Sequence, residues 1–350
     1  MAAKLEVLLR TSPHLRQAPS VSTIMRNVVF ALLPIAAWSV WQFGLSALAL
    51  LLTVSLTCVA TEALFNRLAG RRNTLTDYSA LITGLLLALT LPPGFPLWMA
   101  AVAGFVAIAL GKAMFGGLGY NLFNPALVGR AFVQAAFPVA ISTWTPPFAP
   151  SRFVELIPST LTLPFTTPIP TAAWAAAQVD SFSGATPMAD WKFNGVSSDT
   201  LDLLTGMVAG SAGETSALLI LLGGLYLALR RMLDWRIPAV ILSSAALTAA
   251  LFWLLDSSHY PTPLFVLFSG GLMLGAVFMA TDMVASPVTP LGVVMFGALI
   301  GVVTVIIRYF GGLNEGVMYA ILLANACMPL IEHYTQPRVY GEARRQEQRS

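Results

Sequence analysis

Charge is scarce in this sequence. Of 350 residues, 19 are Lys or Arg and 16 are Asp or Glu, so charged residues make up 10% and hydrophobic residues 57%. Ordinary soluble domains carry about 25% charge, and a chain of this size has too little here to cover a water-facing surface. A soluble enzyme, a disordered chain and a nucleic-acid binder are thereby excluded. The mean hydropathy of +0.76 fits an integral membrane protein, and the pI near 9.0 reads as a topology signal. Cysteine is nearly absent. Cys58 and Cys327 lie in separate apolar runs without CxxC spacing, which encodes neither a disulfide framework nor an iron–sulfur site. The three histidines, His14, His259 and His333, fall in polar or end segments, so no axial ligands for a membrane haem are at hand. Electron transfer by this chain therefore calls for an organic cofactor. The opening stretch MAAKLEVLLRTSPHLRQAPS is charged and has no long apolar region, so it does not read as a cleavable signal peptide.

What is abundant is apolar length. A bilayer span takes about 20 mostly apolar residues, and runs bounded by Pro, Gly or charge predict about ten spans. They cover 27–43, 46–65, 79–91, 97–115, 125–141, 216–229, 237–255, 263–280, 291–307 and 317–331. The chain then divides into an N-terminal segment 1–26, a first membrane unit 27–141, a polar loop 142–215, a second membrane unit 216–332 and a tail 333–350. With the N-terminus inside the cell, 14 basic residues fall inside and 2, Arg152 and Lys192, fall outside, while Lys112, Arg130 and Arg308 sit at or within helix ends. The opposite orientation inverts that ratio. Both termini are thus expected in the cytoplasm and the loop 142–215 on the periplasmic face of a bacterial inner membrane.

The halves resemble each other. SALITGLLLALTLPP from Ser79 reads like LFSGGLMLGAVFMATD from Leu267, and KAMFGGLGYN from Lys112 like IRYFGGLNEG from Ile307. Five spans per half put the second copy upside down, the inverted-repeat pattern of transporters. Arg308 then mirrors Lys112. Glycine-rich helices that look alike by chance give the same pattern.

The polar loop contains VDSFSGATPM, with Asp180 ahead of Ser183, Gly184, Ala185 and Thr186 at the spacing of the Dxx(S/T)GA(S/T) flavinylation motif. In that motif a dedicated transferase moves FMN from FAD onto the final hydroxyl as a phosphoester. The chemistry needs an accessible hydroxyl, supplied by Thr186. It needs small neighbours, Gly184 and Ala185, and a turn ordered by Asp180 and Ser183. A plain Ser-Gly loop tip is the simpler reading of the same residues.

Taken in order, these stretches resemble the NqrB/RnfD family, membrane subunits of ion-pumping quinone and ferredoxin–NAD oxidoreductases, and most of all its RnfD branch. The resemblance runs through SPHLR at Ser12, DYSALITGLLLALTLPP from Asp77, FGGLGYNLFNPALVGRAF from Phe115 and SGATP at Ser183. It continues through LLGGLYLALRRMLDWRIP from Leu221, SGGLMLGAVFMATD from Ser269 and the run from Arg308 to Gly341. Met283 stands where the family has Pro. The resemblance implies an all-α polytopic subunit of a translocase that couples electron transfer between ferredoxin and NAD to Na⁺ or H⁺ movement. It implies covalent FMN on Thr186 and a noncovalent riboflavin in the membrane part. The implied partners are the other Rnf-type subunits, one of them also flavinylated, and a periplasmic FMN transferase. No dehydrogenase activity is expected of the chain alone, since no GxGxxG follows a strand-like run.

For riboflavin, the amides of Asn121 and Asn124 in GYNLFNPA are the expected contacts, with Gly116, Gly117 and Gly119 allowing close approach. Asn124 before Pro125 is equally a helix cap. The ionisable residues Glu62, Asp77, Lys112, Asp282, Glu315 and Glu332 fall near span ends. There they serve an ion path or, as the favoured expectation, anchor and cap at the interface. A non-redox solute channel on an inverted repeat is the rival function.

Overall fold

The computed structural model describes residues 20–70, 74–164, 166, 171–178, 185–214, 216–312 and 315–337, and among these every regular element is helical. The first half comprises α1 (Val21–Phe43), α2 (Leu45–Leu68), α3 (Ser79–Leu89), α4 (Leu97–Ile108, ending in a wide π turn, Ala109–Ala113) and α5 (Pro125–Ala136), with one more turn in α6 (Pro138–Ile141). Short helices α7 (Thr171–Gln178), α8 (Pro187–Ala189) and α9 (Thr200–Thr205) lie in the connecting loop. The second half follows with α10 (Ala217–Leu229), α11 (Arg236–Leu255), α12 (Pro263–Phe268), α13 (Leu272–Leu274), α14 (Pro290–Phe310) and α15 (Val317–Thr335).

Each of the ten expected spans coincides with helix. Five of them, α1, α2, α11, α14 and α15, are long and apolar enough to cross a membrane. The shorter ones have local causes. At 1.5 Å per residue, the 11 residues of α3 reach about half of a 30 Å hydrocarbon layer. The buried chain after α3 contains Pro92, Pro93 and Pro96 and cannot continue the helix. Backbone carbonyls left open in such a place need partners. The loop before α10 supplies them: Ala212 N–H donates to Leu91 O at 3.0 Å and Gly213 N–H to Leu89 O at 2.7 Å. The expected span 125–141 breaks at Pro138, which starts a separate turn. The span 263–280 breaks at Ser269–Gly271, where Gly270 holds φ +61, a left-handed conformation that side chains disfavour.

Four helix starts follow one rule. Asn124, Thr186, Thr262 and Thr289 each precede a proline, and each side-chain oxygen accepts a backbone N–H of the first turn. In the first half α2 packs on α3 and α4, and α4 on α5; in the second, α11 packs on α12 and α14, and α14 on α15. Contacts of α10 with α1 and of α15 with α5 join the halves. The long loop closes over one end. Gln42 Nε2 donates to Gly206 O at 2.9 Å, Ile157 N–H to Ser46 Oγ at 2.8 Å, and Ser159 Oγ to Gly94 O at 2.6 Å.

Candidate functional site

Asn121 and Asn124 meet in a cleft between the halves. Its walls come from α1 (Met25, Val28), α3 (Ser79, Thr83), the end of α4 (Lys112) and, across from them, Phe278 and Asp282. Asn124 caps α5 and bridges the halves. Its Oδ1 accepts Ala126 N–H at 3.0 Å as the α5 cap, and its Nδ2 donates to Met279 O at 3.1 Å in the second half. Asn121 donates to Asp282 Oδ2 at 3.2 Å and to Phe123 O at 3.2 Å. The amides thus tie the α4–α5 connection to the chain after α13 while facing the cleft. Gly116, Gly117 and Gly119 are not part of its lining. They hold φ between +92 and +116, so backbone shape rather than close approach to a ligand accounts for glycine there.

Lys112 and Glu62 do not snorkel. Lys112 and Glu62 are 4% and 5% exposed, and Lys112 Nζ donates to both Glu62 oxygens, at 2.8 and 2.9 Å, and to Ser79 Oγ at 2.6 Å. Anchoring at the interface therefore does not describe this pair. Asp77 is a cap, accepting Ser79 N–H at 2.8 Å, and Glu332 accepts Val288 N–H at 3.2 Å. A second opening, lined by Glu62, Asn66, Thr74, Asp77, Lys112 and Gly117, lies beyond the same lysine.

Two arrangements had no signature in the sequence. Arg130 of α5 bonds Glu214 Oε1 at 2.7 Å from Nη1 and Glu315 Oε2 at 2.5 Å from Nη2, all three side chains being largely buried. Glu214 lies in the loop before α10, where a carboxylate reads as solvated; only the descent of that loop onto α3 buries it. Arg308, 0% exposed, donates to Val266 O at 2.6 Å and Ser269 O at 2.9 Å, filling the open carbonyls at the end of α12.

Of the expected flavinylation motif, Ala185 and Thr186 are described, whereas Asp180, Ser183 and Gly184 lie outside the described residues. Thr186 is 2% exposed, and its Oγ1 accepts Ala189 N–H at 3.3 Å as the cap of α8. This differs from the exposed hydroxyl expected of an acceptor. The cause is packing of the segment that follows. Met188 is fully buried, with Sδ 3.7 Å from Ser269 Oγ. Trp191 rests on Tyr309 at 5.5 Å between ring centroids, and Lys192 donates to Arg308 O at 2.8 Å and to Gly311 O at the end of α14.

Residues 8–341 match the model of the NQR2, RnfD, RnfE family. The chain belongs to this family. Among curated relatives, the D component of an ion-translocating oxidoreductase complex from Alcanivorax borkumensis is 40% identical over 96% of this chain and 97% of its own. The D component of the Na⁺-translocating ferredoxin:NAD⁺ oxidoreductase complex of Acetobacterium woodii is 41% identical over 97% and 96%. The proton-translocating counterpart from Clostridium ljungdahlii is 38% identical over 96% of each. With family membership and its apolar helices, the chain is a multi-pass membrane protein.

Proposed function

We propose that this chain is the membrane flavoprotein subunit of an ion-translocating electron-transport complex, relaying electrons between ferredoxin and NAD. What carries the reading is the amide-lined cleft between the halves in a chain related over its full length to the D components of such complexes. The cleft suits a flavin: it is apolar along Val28, Leu86 and Phe278, with Asn121, Asn124 and Ser79 for ring-edge hydrogen bonds. A flavin bound there supplies one- or two-electron transfer. The protein's part is to orient the ring between the amides and keep bulk water out. Thr186 has the hydroxyl for covalent FMN. Because that hydroxyl is covered, attachment by the transferase takes place with the α8 segment undocked.

The architecture belongs to the same proposal: ten spans in two inverted repeats, both termini cytoplasmic, the loop periplasmic. Matching contacts support the repeat. Gly104 of α4 faces Val54 O of α2, and Gly301 of α14 faces Ile241 O of α11. The next basic residue is Lys112 eight positions on in the first half and Arg308 seven on in the second, the π turn at Ala109–Ala113 accounting for the extra residue. Lys112 reaches the hydroxyl of Ser79 and Arg308 the carbonyl of Ser269, each a serine within the two stretches that resemble each other. The remaining subunits, including a second flavinylated one, supply the ferredoxin and NAD sites.

Denaturing electrophoresis of the native complex tests the reading. The band of this chain fluoresces as a flavoprotein, and acid extraction releases a second, noncovalent flavin. A chain with neither is a channel or a scaffold.

A further inference from the structure

The cleft and the opening beyond it share one wall, and that wall is a single hydrogen-bonded network. Lys112 lines both spaces. On the cleft side its ammonium bonds Ser79 Oγ; on the other it bonds both oxygens of Glu62. Ser79 Oγ in turn donates to Asp77 Oδ1 at 2.5 Å, and Thr74 Oγ1 donates to Glu62 Oε1 at 2.7 Å. Glu62, Thr74 and Asp77 line the outer space and Ser79 lines the cleft. Two carboxylates, Glu62 and Asp77, and one ammonium are thus joined in the lining of the outer space. Across the cleft the nearest acid is Asp282, held by Asn121 and by Val284 N–H. A pair kept only for packing gains little over apolar residues of the same volume. Nor does packing call for an unbroken polar path between two cavities.

We propose that Lys112 carries protons from the outer space to the group bound in the cleft. The proposal rests on the reading that this group is a flavin, whose ring nitrogens take up protons when electrons arrive. In the step, one N–H bond of the Lys112 ammonium breaks and one N–H bond forms on the ring. The neutral amine then takes a proton from Glu62, whose carboxyl has been protonated by a hydronium ion of the outer space, leaving water. One proton enters at Glu62, one leaves at Lys112, the network regains its charge, and no electron moves. Lysine suits the task because a buried ammonium can release its proton, which a guanidinium does not do.

Lys112→Arg is the deciding variant, since it keeps the charge and the pairing with Glu62 but not the transferable proton. The purified complex is reduced by a light pulse, with flavin bleaching followed by absorbance and proton uptake by a pH-indicator dye. The expected result is wild-type extractable flavin and wild-type bleaching, with proton uptake slowed about a hundredfold. Lys112→Met with Glu62→Gln, which removes the buried pair as a unit, slows uptake likewise. Wild-type uptake in a flavin-loaded Lys112→Arg complex overturns the proposal. Loss of the extractable flavin in that variant also overturns it, making Lys112 a binding residue. A wild-type complex without extractable flavin instead removes the reading of the cleft, and with it the acceptor for the proton.

Discussion

Arg130 Nη2 lies 2.5 Å from Glu315 Oε2, an ion pair that joins α5 of the first half to the start of α15 in the second. The same guanidinium holds Glu214, so one side chain fixes three segments that are far apart in the sequence. Gly271 sits against this carboxylate, where an added Cβ would stand 2.5 Å from Oε1.

Arg130→Leu therefore strands two buried carboxylates. Removing one partner from a buried pair costs about 3–5 kcal/mol, so this variant should accumulate poorly and melt well below wild type in detergent. Glu315→Gln keeps an acceptor for Nη2 and should fall between the two. Melting of Arg130→Leu at the wild-type temperature would show that the triad does not hold the halves together.

Thr186→Val removes the acceptor oxygen while matching the side chain in shape. It should abolish in-gel flavin fluorescence and the FMN-sized mass increment on the peptide that contains SGATPM. The lost cap to Ala189 N–H costs about 1 kcal/mol, too little to prevent insertion. Thr186→Ser retains both cap and hydroxyl and should stay labelled, as should Ser181→Ala. Survival of the increment in Thr186→Val would place the attachment elsewhere.

Asn124→Leu should lower the ratio of extractable to covalent flavin. It also loses the α5 cap and the bond to Met279 O, so Asn121→Leu serves as the companion, since Asn121 lines the cleft but caps no helix. Unchanged ratios in both folded variants would leave the amides as structural ties alone.

A reporter active only in the periplasm, fused after Gly195, should be active. Gly195 is exposed and ends the turn Asp190–Asn194, so an insertion there disturbs no buried contact. Activity of a cytoplasm-only reporter at that site would reverse the orientation and take Thr186 away from a periplasmic transferase.

Composition and hydropathy alone determined that this is a helical membrane chain. They also placed the ten expected spans on helix, two of them interrupted, because the cost of exposing backbone and charge to lipid acts on every residue locally. The Asn124–Pro125 helix start was legible for the same reason: a cap depends on neighbours in sequence. Family membership was readable from motifs in order along the whole chain. Three things were settled only by the tertiary structure. Glu214 became a buried ion-pair partner because its loop descends to satisfy the carbonyls of Leu89 and Leu91. Glu62 and Lys112, read as interface anchors, became a buried pair because α2 packs against α4 and its π turn. Thr186, read as an exposed hydroxyl, was covered because Met188, Trp191 and Lys192 dock on α12 and α14. In each case the partner is distant in sequence. Composition and periodicity carry the preference of a residue for lipid, water or a helix end, but not the identity of the group that will stand opposite it.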